Sequence, residues 1–178
     1  MEIIKTVVGD KFIGRIYRDE SPRYPMNEIE FLGRLYIPSN KPLQSTCNLA
    51  YFNDACVKVP IYAMSHSGIT INTTGFSCQW DSAQIGWICA SRADILNWFM
   101  RTMLSKKLKD CVHDHLVSEI QTINQWLNGE IYGYSIVKKE DANLKDTFED
   151  SCWGFYGLDW CAECLEAEIK QYEGKING

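Results

Sequence analysis

The sequence predicts a protein of the α+β class, in which an antiparallel sheet carries helices on one face. The first half of the chain has short apolar segments that alternate with polar residues between turn signals, as antiparallel strands do. The second half has apolar residues at three- and four-residue spacing, as amphipathic helices do. The chain has 178 residues, of which 46% are hydrophobic. That length suits one core, so we predict a single domain over residues 1–178.

The strands of this sheet come from the N-terminal half and from one later segment. The clearest hairpin joins residues 57–64 to 69–74, because Gly68 supplies the positive φ that such a turn usually needs. Prolines predict a loop over 19–25, and residues 48–55 fit either a short helix or a loop. The predicted strands are 2–8, 12–17, 30–37, 57–64, 69–74, 85–90 and 130–139.

Three helices are predicted in the second half, over residues 92–104, 109–128 and 160–173. Ser91 and Asp159 are suitable N-caps for the first and the third. Glycines at 129 and 174 are suitable C-terminal signals for the second and the third. Polar residues over 138–150 predict a loop, and 151–157 is predicted to be a return strand or a tight loop.

The net charge of −5 is unevenly distributed along the chain. Residues 1–90 are balanced and residues 91–139 carry net +2, whereas 140–173 hold ten acidic and two basic side chains. An acidic segment repels phosphates and attracts basic surfaces, although it can also be a solvated helix face. No basic stripe of the kind that binds nucleic acid is present, so we expect no direct nucleic-acid binding.

The sequence indicates a cytoplasmic protein with reduced cysteines. No apolar segment follows the N-terminal methionine, and no run approaches the about 18 apolar residues of a membrane span. Eight cysteines in this length are too few for a disulfide scaffold. Five lie singly among apolar or small residues and are interpreted as small buried hydrophobic residues: Cys47, Cys56, Cys78, Cys89 and Cys111.

Two segments, residues 76–87 and 150–157, combine tryptophan, cysteine, aspartate and serine in loop-like surroundings, and they are the candidate binding site. Polar and aromatic loops on a rigid sheet are common binding sites, and tryptophan and tyrosine dominate interface hot spots. Core packing is the alternative role for such aromatic residues. The candidate binding residues are Trp80, Asp81, Ser82, Gln84, Asp150, Trp153, Tyr156 and Trp160.

Other chemistry has weaker support in the sequence. Cys78 or Cys152 is a candidate thiolate, with His66 as base, but the spacing matches no known nucleophile motif. Cys161 and Cys164 form a single CxxC without a second ligand pair, so we predict no metal. Phosphate-binding glycine loops are absent, and we predict no cofactor.

The motifs Ser67-Gly68-Ile69-Thr70, Phe76 to Gly86 and Asp150 to Gly157 resemble a family of phage and conjugative-element proteins that read SGIT, FSCxWDSGQVG and DSCWGFYG. The match spans about residues 62–160, and it departs at Ala83 and Ile85, where the family pattern has glycine and valine. The resemblance implies a genomic context rather than a mechanism. Small proteins of such elements are often anti-defence factors.

The resemblance and the acidic segment together predict a phage or mobile-element protein that binds a host defence protein. Its target is expected to be a nuclease or a CRISPR effector that it inhibits without catalysis. Two alternatives remain. One is a cysteine-dependent enzyme that uses Cys78 or Cys152. The other is a sponge for a nucleotide signal, with an aromatic pocket between the two tryptophan-rich segments.

Overall fold

The computed structural model describes residues 2–65, 68–78, 80–141 and 149–176. In these ranges eight strands and five α-helices form, which confirms the predicted α+β class. The strands are β1 (Ile3–Val8), β2 (Phe12–Arg18), β3 (Arg34–Tyr36), β4 (Val57–Ser65), β5 (Ile69–Asn72), β6 (Ser82–Ala90), β7 (Ile131–Lys138) and β8 (Asp150–Tyr156). The helices are α1 (Pro25–Glu28), α2 (Leu49–Asp54), α3 (Arg92–Trp98), α4 (Lys106–Leu127) and α5 (Leu158–Ile176).

The strands form two antiparallel sheets, and the prediction of one sheet is therefore wrong. One sheet has the order β1-β2-β7-β8 and the other the order β3-β6-β4-β5. Within the described residues, the strand predicted over 130–139 forms β7, and it pairs with β2 and β8. The chain correspondingly divides into two compact units, Tyr24–Asn128 and the combination of Met1–Arg23 with Gly129–Gly178. The prediction of one domain stays a prediction.

The unit Tyr24–Asn128 has its core between α4 and the sheet of β3 to β6. Helix α4 begins at Lys106, earlier than predicted, because the Ser105 side chain accepts a hydrogen bond from the Leu108 N–H at 3.1 Å. Gly129 follows its last turn with φ +66°, as the sequence predicted. The predicted apolar stripe is buried at Val112, Leu116, Ile120 and Ile123.

The second unit has its core between α5 and the sheet of β1, β2, β7 and β8. Gly14 allows a close approach of the helix, since a Cβ atom there would lie 2.5 Å from Leu165 Cδ1. Helix α5 is longer than the predicted 160–173. Asp159 lies inside its first turn rather than at the N-cap, and the helix continues past Gly174 to Ile176.

The predicted helix over 92–104 ends at Trp98, because the chain closes there in a Schellman motif. The Arg101 N–H donates to the Leu96 carbonyl at 2.9 Å, and the Met100 N–H donates to the Asn97 carbonyl at 3.2 Å. Met100 has φ +48°, in the left-handed region where glycine or asparagine usually stands. Met103, which lies within the predicted helix 92–104, is exposed.

The structure also defines three further segments. Helix α1 begins at Pro25, the last residue of the loop predicted over 19–25, and a proline at the start of a helix lacks only an N–H that would be unpaired anyway. The ambiguous segment 48–55 forms α2, with Asn48 as its N-cap. Strand β6 begins at Ser82 rather than residue 85. Most of the predicted loop over 138–150 lies outside the described residues.

Candidate functional site

The first predicted segment forms one side of an open groove, which we call the Trp80 groove. Trp80, Asp81 and Ser82 line it together with apolar side chains that include Met64 and Ile69. The groove has a volume of about 470 Å³. Trp80 is 97% exposed. A tryptophan so exposed buries almost none of its apolar area within the fold, which is typical of a contact surface rather than of core packing.

Hydrogen bonds within the turn and to the end of β4 hold the turn that carries Trp80. The Ser82 hydroxyl donates to the Cys78 carbonyl, and the Ser65 N–H donates to the Asp81 carbonyl at 3.0 Å. The Asp81 carboxylate lies 3.7 Å from Cys78 Sγ and accepts its thiol hydrogen bond. Gln84 is exposed on β6 opposite Tyr62, and it is not among the residues that line the groove.

The second predicted segment forms strand β8, which agrees with the return strand that was one of its two predicted structures. Trp153 lies across Gly133 of β7 and stacks on Tyr17 of β2, with the ring centroids 6.3 Å apart. A Cβ atom on Gly133 would lie 2.2 Å from the indole ring, so the glycine makes room for it. Trp153 nevertheless remains 42% exposed. Its role therefore combines packing with surface display.

The other predicted residues in this segment and just after it also differ in burial and in contacts. The Asp150 carboxylate accepts hydrogen bonds from the Ser151 N–H at 2.7 Å and from the Tyr172 hydroxyl at 3.4 Å. Tyr156 is half-buried at the end of β8. Trp160 is 59% exposed in the first turns of α5. The two predicted segments belong to different compact units, and a nucleotide pocket between them stays a prediction.

Helix α5 presents an acidic stripe to solvent, which we define as Asp159, Glu163 and Glu166. The three side chains are exposed and lie at positions i, i+4 and i+7, so they share one side of the helix. Lys170 continues the same side one turn later. Trp160 lies beside the stripe. Three of the ten acidic side chains counted in residues 140–173 are thus displayed next to an exposed aromatic ring.

The cysteines differ from the prediction of five buried thiols. Cys89 is buried, Cys47 and Cys78 are half-buried, and Cys56 and Cys111 are exposed. The prediction is wrong for the last two, because Cys56 precedes β4 and Cys111 lies on the solvent side of α4. Burial raises the pKa of the Cys89 thiol to about 12. Such a thiol stays protonated at neutral pH and is a poor nucleophile.

The structure also shows the positions of the CxxC and of Cys152, one of the two candidate thiolates. Cys161 is buried and Cys164 half-buried on α5, and burial raises the pKa of Cys161 to about 12. Cys152 is exposed on β8. His66, the candidate base, lies outside the described residues. No three His, Cys, Asp or Glu side chains in the described ranges are grouped so that they could hold a metal ion.

Thiol labelling tests this division of the cysteines. At pH 8 we expect iodoacetamide to modify Cys56, Cys111 and Cys152 of the folded protein rapidly, because their thiols are exposed. Cys89 and Cys161 should stay unmodified, since a pKa of about 12 leaves only about one thiolate in 10⁴ at this pH. Peptide mass spectrometry gives the extent at each position. Labelling in denaturant is the control, and modification of Cys161 as fast as Cys111 would contradict the structure.

A second cavity, which the sequence analysis missed, lies in the unit Tyr24–Asn128. Asp94, three residues after the N-cap Ser91 of α3, lines it. Its Oδ2 atom accepts hydrogen bonds from the Tyr51 hydroxyl and from the Ser91 hydroxyl at 2.9 Å. Arg34 Nε lies 3.9 Å from the same oxygen. We call this space the Asp94 cavity; its volume is about 500 Å³.

A buried carboxylate holds one wall of the Asp94 cavity. Glu119 of α4 is 6% exposed, and it accepts hydrogen bonds from the backbone N–H groups of Leu32 at 2.6 Å and Gly33 at 2.9 Å. His115 Nε2 lies 3.2 Å from the same carboxylate. Burial raises the pKa of Glu119, while the two backbone hydrogen bonds and His115 lower it. A Cβ atom on Gly33 would lie 2.5 Å from Ile88 Cδ1 and 2.6 Å from Glu119 Oε2, so a larger residue would have to displace both side chains.

The Glu119 contact also explains why β3 is shorter than the predicted strand 30–37. The N–H groups of Leu32 and Gly33 bind the carboxylate and are not available to a neighbouring strand. The sequence contains a feature that could have indicated this contact. Glu119 falls within the apolar stripe of α4, where a charged residue is stable only with buried partners.

Comparisons with models of protein families, with curated proteins and with solved structures find no match. The resemblance to phage and conjugative-element proteins therefore stays a prediction that rests on the quoted motifs. None of the helices in the described parts of the chain is both long and apolar enough to cross a bilayer. The fold and the surfaces define an α+β protein whose candidate sites are a groove, a cavity and an acidic helix face.

Proposed function

We propose that the protein is a non-catalytic binding protein that inhibits a host nucleic-acid-directed defence protein, of the anti-CRISPR or anti-restriction type. The observation that carries the proposal is the acidic stripe of α5 beside the exposed Trp160. The phage or mobile-element context rests on the motif resemblance, and it implies action in the cytoplasm of the host cell. The target class rests on the charge of the stripe.

The charge argument concerns the surface that a nuclease offers to its nucleic acid. Such a surface is basic, because it neutralises phosphates with lysine and arginine side chains. Asp159, Glu163 and Glu166 present carboxylates on one side of a helix that packs on a sheet. A helix of this kind offers a fixed row of negative charges, which can occupy a basic cleft in place of the nucleic acid.

The exposed tryptophans supply the apolar anchors that a stable complex needs. Charge alone mainly raises association rates, whereas a few buried aromatic residues contribute most of the binding free energy. Trp160 adjoins the acidic stripe and is the first candidate anchor. Trp153 and Trp80 are further candidates, since both are exposed in the free protein. Inhibition by occupation of a cleft requires no catalytic residue.

An interference assay in bacteria tests the proposal. Cells that carry a restriction or CRISPR system are transformed with a targeted plasmid, with and without expression of the protein. We expect expression to raise the recovery of targeted plasmid, and the double variant E163K/E166K to lower this effect by about tenfold or more, because it reverses the charge of the stripe. Binding of the purified protein to the nuclease or CRISPR effector that it inhibits should also weaken as the salt concentration rises.

The matched control is the double variant E2K/D54K, which changes the net charge by the same amount. Glu2 and Asp54 are both exposed and lie outside α5. This variant should inhibit like the wild type. The proposal fails if the wild type relieves no interference by any tested system, or if E163K/E166K inhibits as well as E2K/D54K. Capture of a host protein without relief of interference does not support it.

A further inference from the structure

The Asp94 cavity has the size and the mixed lining of a small-molecule site. Its volume of about 500 Å³ falls in the range of roughly 300–1,000 Å³ that such sites occupy. It lies between the segment that precedes β3 and helix α3. Both charged and aromatic side chains line it: Glu30, Phe31, Leu32, Arg34, Asp94, Asn97 and Trp98.

Hydrogen bonds hold one oxygen of the Asp94 carboxylate in place, and the other oxygen is available as an acceptor. Oδ2 receives the hydroxyl hydrogen bonds of Tyr51 and Ser91. The Ser91 backbone N–H donates to Tyr51 Oη at 3.1 Å, so the phenol is fixed as well. Within the described ranges no hydrogen bond to Asp94 Oδ1 is present. A fixed carboxylate with one open oxygen is a suitable acceptor for an ammonium group.

The Arg34 guanidinium is the complementary charge. It lies over the Tyr51 ring, with Cζ 5.3 Å from the ring centroid. Its Nε atom is 3.9 Å from Asp94 Oδ2, which is beyond hydrogen-bonding distance. The guanidinium makes no hydrogen bond within the part of the chain that the structure describes. Its planar fork is therefore open to a carboxylate, which it can bind through two parallel hydrogen bonds.

The apolar wall beside these charges is rigid. The Trp98 ring packs on His115, with ring centroids 5.5 Å apart, and His115 in turn contacts Glu119. The Leu32 N–H is bound to the same Glu119 carboxylate. One buried group thus fixes both the indole and the loop on the two sides of the cavity. A wall fixed before binding lowers the ordering cost of a ligand ring.

We propose that the Asp94 cavity is a binding site for a free α-amino acid with an aromatic side chain. The ligand carboxylate binds the Arg34 guanidinium, and the ligand ammonium binds Asp94 Oδ1. The aromatic ring packs against Trp98. Glu30 also lines the cavity and adds a second acidic group to it. The site is independent of the acidic stripe, which lies on α5.

The charge pattern of the ligand gives a direct test on the wild-type protein. L-phenylalanine, phenethylamine and 3-phenylpropionate are titrated separately by calorimetry, with chemical-shift mapping of the Trp98 indole. Phenethylamine lacks the carboxylate and 3-phenylpropionate lacks the ammonium, so each should bind at least about tenfold more weakly than phenylalanine. Equal affinity for the three ligands, or no binding of phenylalanine at about 10 mM, would overturn the proposal.

Two variants with matched controls locate the site. R34Q and D94N should each weaken phenylalanine binding by about tenfold or more. R92Q and D54N remove the same charges at exposed positions outside the cavity lining, and they should bind like the wild type. Thermal unfolding is measured for all four, because Asp94 also binds Tyr51 and Ser91. If a folded R34Q protein binds phenylalanine as tightly as the wild type, the proposed site is wrong. If a variant does not fold, the comparison of the three ligands on the wild-type protein tests the proposal instead.

Discussion

Replacing Glu119 with alanine is expected to lower the free energy of unfolding by about 3–5 kcal/mol. The substitution leaves the buried N–H groups of Leu32 and Gly33 without their acceptor, and it leaves His115 without its carboxylate. A buried donor without a partner costs about 1–3 kcal/mol, and two are orphaned here. Urea unfolding followed by circular dichroism measures the change.

A graded pair of variants separates this mechanism from a general loss of packing. E119Q keeps the shape and one acceptor oxygen, so we expect a loss of about 1–3 kcal/mol, between wild type and E119A. D114A changes an exposed acidic residue on the same helix and should cost less than about 0.5 kcal/mol. If E119A is no less stable than D114A, the buried contact does not stabilise the loop as described.

Replacing Gly86 with alanine is expected to destabilise the protein by about 3 kcal/mol, or about 6–12 °C in Tm for a chain of this size. Gly86 is buried on β6, where the backbone of β3 passes close by. A Cβ atom there would lie 2.3 Å from the Tyr36 carbonyl oxygen and 2.6 Å from Ile37 Cδ1. Because the nearest atom belongs to the backbone, strand β3 must move away from its partner.

The matched control is G174A, the same substitution in a free environment. Gly174 is exposed within α5, and a Cβ atom there would meet nothing within 4 Å. Alanine in a helix interior is more stable than glycine by about 0.5–1 kcal/mol, so G174A should raise the stability slightly. Differential scanning calorimetry compares the two variants. If the Tm of G86A lies within about 1–2 °C of the wild-type Tm, the free-energy change is small for a chain of this size. Such a result would show that β3 accommodates the methyl group without a loss of stability.

The sequence predicted the main elements well because apolar periodicity follows burial directly. The stripe of α4 is buried as expected, and Gly129 ends the helix with positive φ. The predictions failed where a local signal was absent or misleading. Met100 occupies a left-handed position that normally favours glycine, so the end of α3 had no recognisable signal. Gly174 was read as a C-terminal signal, although α5 continues through it.

The candidate sites divide in a comparable way. Composition alone identified Trp80, Trp153 and Trp160, and all three are exposed in the structure. Composition could not identify the Asp94 cavity, because its residues come from separate parts of the chain. Arg34 and Asp94 are 60 positions apart in the sequence, and neither belongs to a motif. Only the pairing of β3 with β6 brings them together, since α3 directly follows β6.

By itself the sequence determined the α+β class, most strands and the long helices, and the concentration of acidic charge near the C-terminus. These properties depend on neighbours within one turn or one hairpin, where spacing and residue type act directly. The tertiary structure decided the division into two sheets and the binding of Glu119 to the Leu32 and Gly33 backbone. The Glu119 contacts join residues more than 80 positions apart, and the pairing of β3 with β6 joins residues more than 50 positions apart. Such partners are chosen by packing and by the need to satisfy buried polar groups.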